Sequence, residues 1–213
     1  QFNKSLKAMT PEIFLKDILA QLNLKHLIIG DDFRFGAERA GDFSLLKSWG
    51  KSNNTEVIAN KTVSKHGLRI SSTRIREALM LSNFELAAEL LGRPYTFSGK
   101  VVYGNQLGRT IGVPTANLWI PKQRLPIAGV YAVHCFLAGK QLNGIANMGI
   151  RPTVDGTKPV LEIHIFNFNE PIYGQRLTVE FKNKLRDEKK FDNIDLLKKQ
   201  IFQDISQAKE LLE

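Results

Sequence analysis

Gly129-Val-Tyr-Ala-Val-His-Cys-Phe-Leu137 reads as a β-strand and sets the character of the chain around it. It is a nine-residue run of strand-forming types, opened by one glycine and followed closely by another. Similar runs flank it: Tyr95 to Tyr103 upstream, and Gln141 to Met148, Val160 to Phe168 and Leu177 to Phe181 downstream. Turns containing Gly, Asn and Pro separate them. Short strands at even spacing predict an antiparallel barrel or sandwich. Past the last strand, Ile194, Leu197, Ile201, Ile205, Ala208 and Leu212 recur at threes and fours, which predicts a closing C-terminal helix.

The front of the chain reads differently. Thr10-Pro11-Glu12 is a helix start, with a capping hydroxyl, proline at the first helical position and an acid in the first turn. Phe14, Ile18 and Leu22, with Leu15 and Leu19 beside them, give that helix one apolar face. His26 to Ile29 reads as a short buried-type strand ending at Gly30, and Glu56-Val-Ile58 as another. Ser71-Ser72-Thr73 can cap a helix through Leu81. A further helix starts near Asn83 and stops at Gly92. Arg93-Pro94 marks a boundary. The expected organisation is an α/β piece over 1–92 and a β-rich domain over 93–213.

Net charge is +9, of which +3 lies in residues 1–92 and +6 in 93–213. A spread positive field suits polyanionic ligands, nucleotide or nucleic acid, and also serves solubility. Cys135 is the only cysteine, so no internal disulfide is possible. That fits a reducing, cytoplasmic setting, with the thiol buried and inert. No apolar run reaches the roughly 18 residues of a membrane helix, and no secretory signal pattern is present.

Five segments could carry chemistry. In Gly104-Asn-Gln-Leu-Gly108-Arg109-Thr-Ile-Gly112-Val-Pro-Thr115-Ala-Asn117, three glycines four apart allow close backbone approach to an anion. Arg109 adds a positive fork. Thr115 and Asn117 are hard oxygen donors suited to Mg²⁺. The glycines alone also fit an ordinary hairpin. In Leu161-Glu-Ile-His-Ile-Phe166, strand parity puts Glu162, His164 and Phe166 on one face. Glu162 there could act as general base toward a hydroxyl, or simply face water.

Gly30-Asp31-Asp32-Phe33-Arg34-Phe35-Gly36 follows a strand, where open α/β sheets bind ligands. Ser71, Ser72, Thr73 and Arg76 stand at a helix start and could form an anion site, or a plain cap. Leu185 to Phe191 is a charged turn that could bring Arg186 and Phe191 over a planar ligand.

These strings, in this order, resemble the bacterial bifunctional riboflavin kinase/FMN adenylyltransferase (FAD synthetase) family. They are Gly-Asp-Asp-Phe-Arg-Phe-Gly (30–36), Ile-Ser-Ser-Thr-Arg-Ile-Arg (70–76), Leu-Gly-Arg-Pro-Tyr (91–95) and Gly-Val-Pro-Thr-Ala-Asn (112–117). Gly-Val-Tyr-Ala-Val (129–133), Ala-Asn-Met-Gly-Ile-Arg-Pro-Thr (146–153), Glu-Ile-His (162–164) and Leu-Arg-Asp-Glu-Lys-Lys-Phe (185–191) complete them. The resemblance implies a nucleotidyltransferase-type Rossmann-like piece, then a six-stranded antiparallel β-barrel with a C-terminal helix.

It also implies ATP, riboflavin and FMN as small-molecule partners, with Mg²⁺ and nucleotide phosphates on Thr115 and Asn117. Glu162 would be the catalytic base, residues 104–112 a flap over ATP, and residues 185–191 a flap near the flavin. The segments 30–36 and 71–76 would serve the adenylyltransferase.

One feature departs from the family. Its first module opens with a His-x-Gly-His segment, and the histidines here, at 26, 66, 134 and 164, form no such pair. Residues 1–92 look like the second half of that module, truncated at its N-terminus, so the expected product is FMN with little or no FAD. A basic nucleic-acid-binding barrel is the rival reading, but the basic residues are scattered rather than interleaved with aromatics. Neither nucleic acid nor membrane is expected as a partner, and self-association stays open.

Overall fold

In the computed structural model, which describes residues 3–104, 107–120, 125–153 and 156–213, the chain divides into a unit ending at Ile70 and a unit from Ser71 to Glu213. In the first, helices α1 (Lys4–Ala8) and α2 (Pro11–Asp17) start where Asn3 and Thr10 accept the N–H bonds of Leu6 and Ile13. The apolar spacing predicts one helix through Leu22. Instead α2 ends at Asp17, the chain tightens into a 3₁₀ turn over Leu19–Leu22, and Leu22 is left exposed.

Strand β1 (His26–Gly30) pairs in parallel with β2 (Glu56–Asn60), and helix α3 (Phe43–Ser52) lies between them in sequence. Leu15, Leu19, Ile29, Phe35 and Leu46 form the core of this unit. The apolar run of β1 suggests burial on both faces. In the structure Ile28 and its register partner Ile58 are 59% and 38% exposed, so their shared face is open. A two-residue hairpin, β3 (Ser64–Lys65) with β4 (Leu68–Arg69), follows.

The second unit opens with α4 (Ser72–Met80) and α5 (Phe84–Leu91), capped by Ser71 and Asn83, and Gly92 takes the left-handed conformation that stops α5. Phe84 stacks on Tyr95 and Phe181 and meets Tyr131 edge-on. The compact unit therefore starts at Ser71, ahead of the sequence boundary at Arg93, because the apolar face of α5 is buried against barrel aromatics.

The barrel strands are β5 (Thr96–Val102), β6 (Ala116–Leu118), β7 (Gly129–Leu137), β8 (Lys140–Thr153), β9 (Gly156–Ile165) and β10 (Arg176–Arg186). They close in the order β10-β5-β6-β9-β8-β7, and every pair is antiparallel. This is the six-stranded barrel that the family resemblance implies. Its strand pattern alone marks five members and passes over β6, which is three residues long.

Alternation sorts each strand. Val101, Leu118, Leu161, Ile163, Val133 and Val179 point into the core. Cys135 is fully buried there, and burial pushes its thiol up to about 12. A short helix α6 (Leu107–Thr110) lies between β5 and β6. Helix α7 (Ile194–Leu212), capped by Asn193, packs across β7, β8 and β10. There Ile201, Ile205 and Ala208 cover Ala132, Ile145 and Phe166. Among the described residues no helix is long and apolar enough to cross a membrane.

Candidate active site

One register row runs around the barrel on the face opposite the core. Val102 pairs with Asn117, Asn117 with Glu162, Glu162 with Asn147, Asn147 with Val130, and Val130 with Arg186. Two register shifts in β10, after Phe181 and after Lys184, bring Arg186 opposite Val130. The row draws one residue from each of six strands, so chemistry distributed over 85 positions of sequence gathers on one hoop (Val102 to Arg186).

Glu162 is half-buried, as its period predicts for an outward-facing strand position, yet it does not face open water. A cavity of about 240 Å³ lies over it, walled by Gly108 and Val113 on one side and Leu197 and Ile201 of α7 on the other. Asn147 lines the same cavity, and its Oδ1 is buried with no hydrogen-bond partner. Strand parity could have flagged Asn147, a polar residue between buried Ala146 and Met148, but not its cross-strand neighbour.

His164 shares this wall. Its Nδ1 donates to the Pro114 carbonyl at 2.8 Å and ties the approach to β6 onto β9. Burial holds its imidazole below the ordinary value, and Lys209 adds to that, against the opposing effect of the Pro114 bond. The histidine thus tethers the segment that carries Thr115.

A second cavity of about 410 Å³ lies at the barrel end, with Arg109, Phe168, Glu170 and Tyr173 among its walls. Thr115 lines both cavities. Asn117, two residues on and on the same side of the chain, is only 7% exposed. The Cα of Gly104 rests against its side-chain amide, where a β-carbon would collide. Gly108 lies against the Val113 carbonyl and beside Thr115 in the same way. The N–H of Gly112 donates to the Arg109 carbonyl, so that amide closes a turn. Of the expected ATP flap, Asn105 and Gln106 lie outside the described residues.

Arg186 is the last residue of β10 and is anchored. Its Nε and Nη2 donate to the Asp204 carboxylate of α7 at 3.0 and 2.8 Å, and its Nη1 donates to the Asp187 carbonyl. Asp204 is 2% exposed and also accepts from Gln200. Phe191 sits with its ring centre 5.8 Å from the guanidinium. Arg186 therefore forms part of the smaller cavity's wall, with Phe191 beside it.

The remaining predicted residues lie apart from this hoop in sequence. Asp32 forms a paired contact with Arg69, whose guanidinium holds that carboxyl below its ordinary value. Phe33 stacks on Phe35. Gly36, at a positive φ, packs against the Pro11 ring, and Gly30 ends β1. Ser71 caps α4 through the Arg74 N–H, and Ser72, Thr73 and Arg76 lie within that helix. The turn at 30–36 belongs to the first unit and 71–76 to the second.

The family model for riboflavin kinase matches residues 91–212. The chain belongs to the bifunctional riboflavin kinase/FMN adenylyltransferase family. The model for FAD synthetase matches residues 1–74. The bifunctional riboflavin kinase/FMN adenylyltransferase of Haemophilus influenzae is 46% identical over 98% of this chain and 68% of its own length. That of Escherichia coli K12 is 44% identical over 99% of this chain and 68% of its own. A crystal structure described as a macrolide-efflux protein from Streptococcus pneumoniae is also similar, at 34% identity and a TM-score of 0.74. That match covers 98% of this chain and 68% of the other. For this family member, the riboflavin kinase match spans the entire hoop from Val102 to Arg186.

Proposed function

We propose that this chain transfers the γ-phosphate of ATP to the 5′-hydroxyl of riboflavin, giving FMN and ADP, and that Glu162 is the general base. The observation that carries this reading is Thr115, whose side chain stands where two cavities meet, with Glu162 in only one of them. A base must lie on the acceptor's side. The cavity holding Glu162 and the apolar walls Val130, Ile145 and Leu197 is then the flavin's, and the one holding Arg109 is the nucleotide's.

In the transfer, the riboflavin O–H bond gives its proton to the Glu162 carboxylate as the oxygen attacks phosphorus. The bond from the γ-phosphorus to the bridging oxygen breaks and leaves ADP. Positioning and charge neutralisation supply most of the acceleration. Arg109 contributes positive charge at the nucleotide cavity.

Thr115 and Asn117 fit a metal that arrives with phosphate. They offer neutral hydroxyl and amide oxygens, and the glycine against Asn117 keeps a β-carbon away from that amide. Among the described residues no group of three or more His, Cys, Asp and Glu side chains could cage a metal by itself. Mg²⁺, held by Thr115 and Asn117, would neutralise the phosphate oxygens.

The domain division that goes with this reading is an adenylyltransferase part over 1–92 and a kinase part over 93–213. Gly30, Asp32, Phe33, Gly36, Ser71, Ser72, Thr73 and Arg76 would serve the former. The test is direct. The chain is incubated with riboflavin and ATP-Mg²⁺, and riboflavin, FMN and FAD are separated by chromatography. FMN formation that requires both ATP and Mg²⁺ is expected, and its absence would overturn the proposal.

A further inference from the structure

We infer that Asn147 reads an internal hydroxyl of the acceptor's polyol chain, next to the hydroxyl that Glu162 deprotonates. The inference rests on the kinase reading of this site. Asn147 and Glu162 are directly opposed in the β8–β9 register and line one cavity. Directly opposed side chains on one face start only about 5 Å apart, so their polar ends reach neighbouring groups on one extended ligand.

The Asn147 Oδ1 is buried and has no partner. Such an oxygen costs stability, and it is an acceptor that lacks a donor. Its neighbour on the other side of the hoop is Val130, an aliphatic residue that cannot satisfy it. The group that can satisfy it is an O–H entering the cavity. A ribityl chain held with its terminal hydroxyl at Glu162 brings internal hydroxyls to that place. Asn147 thus distinguishes a polyol from a plain alkyl alcohol of equal length.

A riboflavin analogue whose N10 chain is 5-hydroxypentyl tests this. It keeps the terminal hydroxyl and lacks the internal ones. The ratio of kcat/KM for riboflavin to that for the analogue is measured in wild type, Asn147→Leu and Asn147→Ala. In wild type riboflavin is expected to win by roughly 5- to 100-fold, the scale of one buried hydrogen bond lost. In both variants the ratio should fall toward one, with KM for ATP unchanged.

Asn147→Leu should also melt no lower than wild type, since it removes the unpartnered oxygen. An unchanged ratio would overturn the inference, whether both substrates slow equally, as for a residue acting only through Glu162, or neither slows. Equal wild-type use of the two flavins would also overturn it, while leaving the kinase reading intact. No FMN from wild type would instead sink the kinase reading and this inference with it. Asn147→Ala carries the test if the leucine variant misfolds.

Discussion

The α-carbon of Gly104 lies directly against the side-chain amide of Asn117, with no room for a β-carbon between them. The three atoms nearest to such a β-carbon belong to the end of the asparagine side chain rather than to backbone. Gly104→Ala should therefore swing the Asn117 amide aside while leaving the strands in place. The expected outcome is a melting temperature close to wild type and a raised requirement for Mg²⁺ and ATP, read from FMN formation across an Mg²⁺ titration. An unaltered Mg²⁺ dependence would separate Asn117 from the metal.

Glu162→Gln keeps the shape of the side chain and removes the proton acceptor. Turnover should fall by roughly 10²–10⁴, the usual scale for a positioned general base. Steady-state FMN production decides it, and near wild-type turnover would take Glu162 out of that role. Thr115→Ala, at the junction of the two cavities, should weaken use of ATP-Mg²⁺.

Asp204→Ala leaves Arg186 without its carboxylate and Gln200 without its acceptor, in a place where the aspartate is 2% exposed. Breaking a buried pair from one side costs about 3–5 kcal/mol. For a unit of this size that corresponds to a melting temperature lower by roughly 6–20 °C, measurable by calorimetry. The KM for riboflavin should rise as well, because Arg186 forms part of the smaller cavity.

His164 gives the barrel a pH signature. Burial lowers its folded-state value, so the unfolded chain binds the proton more readily. Its contribution to stability is present above the unfolded value, about 6.5, and is lost as pH falls through the folded one. Thermal melts at pH 7 and pH 5 should differ less in His164→Gln than in wild type. An equal difference in both would place the titration elsewhere.

The core was legible because burial and strand period coincide. Leu161, Ile163 and Ile165 fall on one face by parity, and the structure buries all three. Glu162 was legible as an outward position for the same reason. Three other features were not. Strand β6 is held by two neighbouring strands rather than by length, so its three residues carry no periodic signal. The opposition of Asn147 to Glu162 depends on register between strands, which no single strand encodes. Asp204 reads as an ordinary charge on a helix until Arg186, 18 residues earlier, is brought to it. In the first unit, the exposed Ile28 shows the limit of apolar content alone, because coverage depends on what packs above a strand.

The hoop from Asn117 to Arg186 leaves this fold divided by parity. Odd and even positions of the same strands answer to different demands: one set fills the interior, and the other faces the smaller cavity and the C-terminal helix. On the kinase reading, a point change at Asn147 or Glu162 should alter recognition or catalysis without removing a packing atom from the interior. A one-residue deletion in β9 does the reverse, turning Leu161 and Ile163 outward and carrying the carboxylate inside. Such a scaffold leaves its outward positions open to substitution, whereas a change of phase exchanges its two faces.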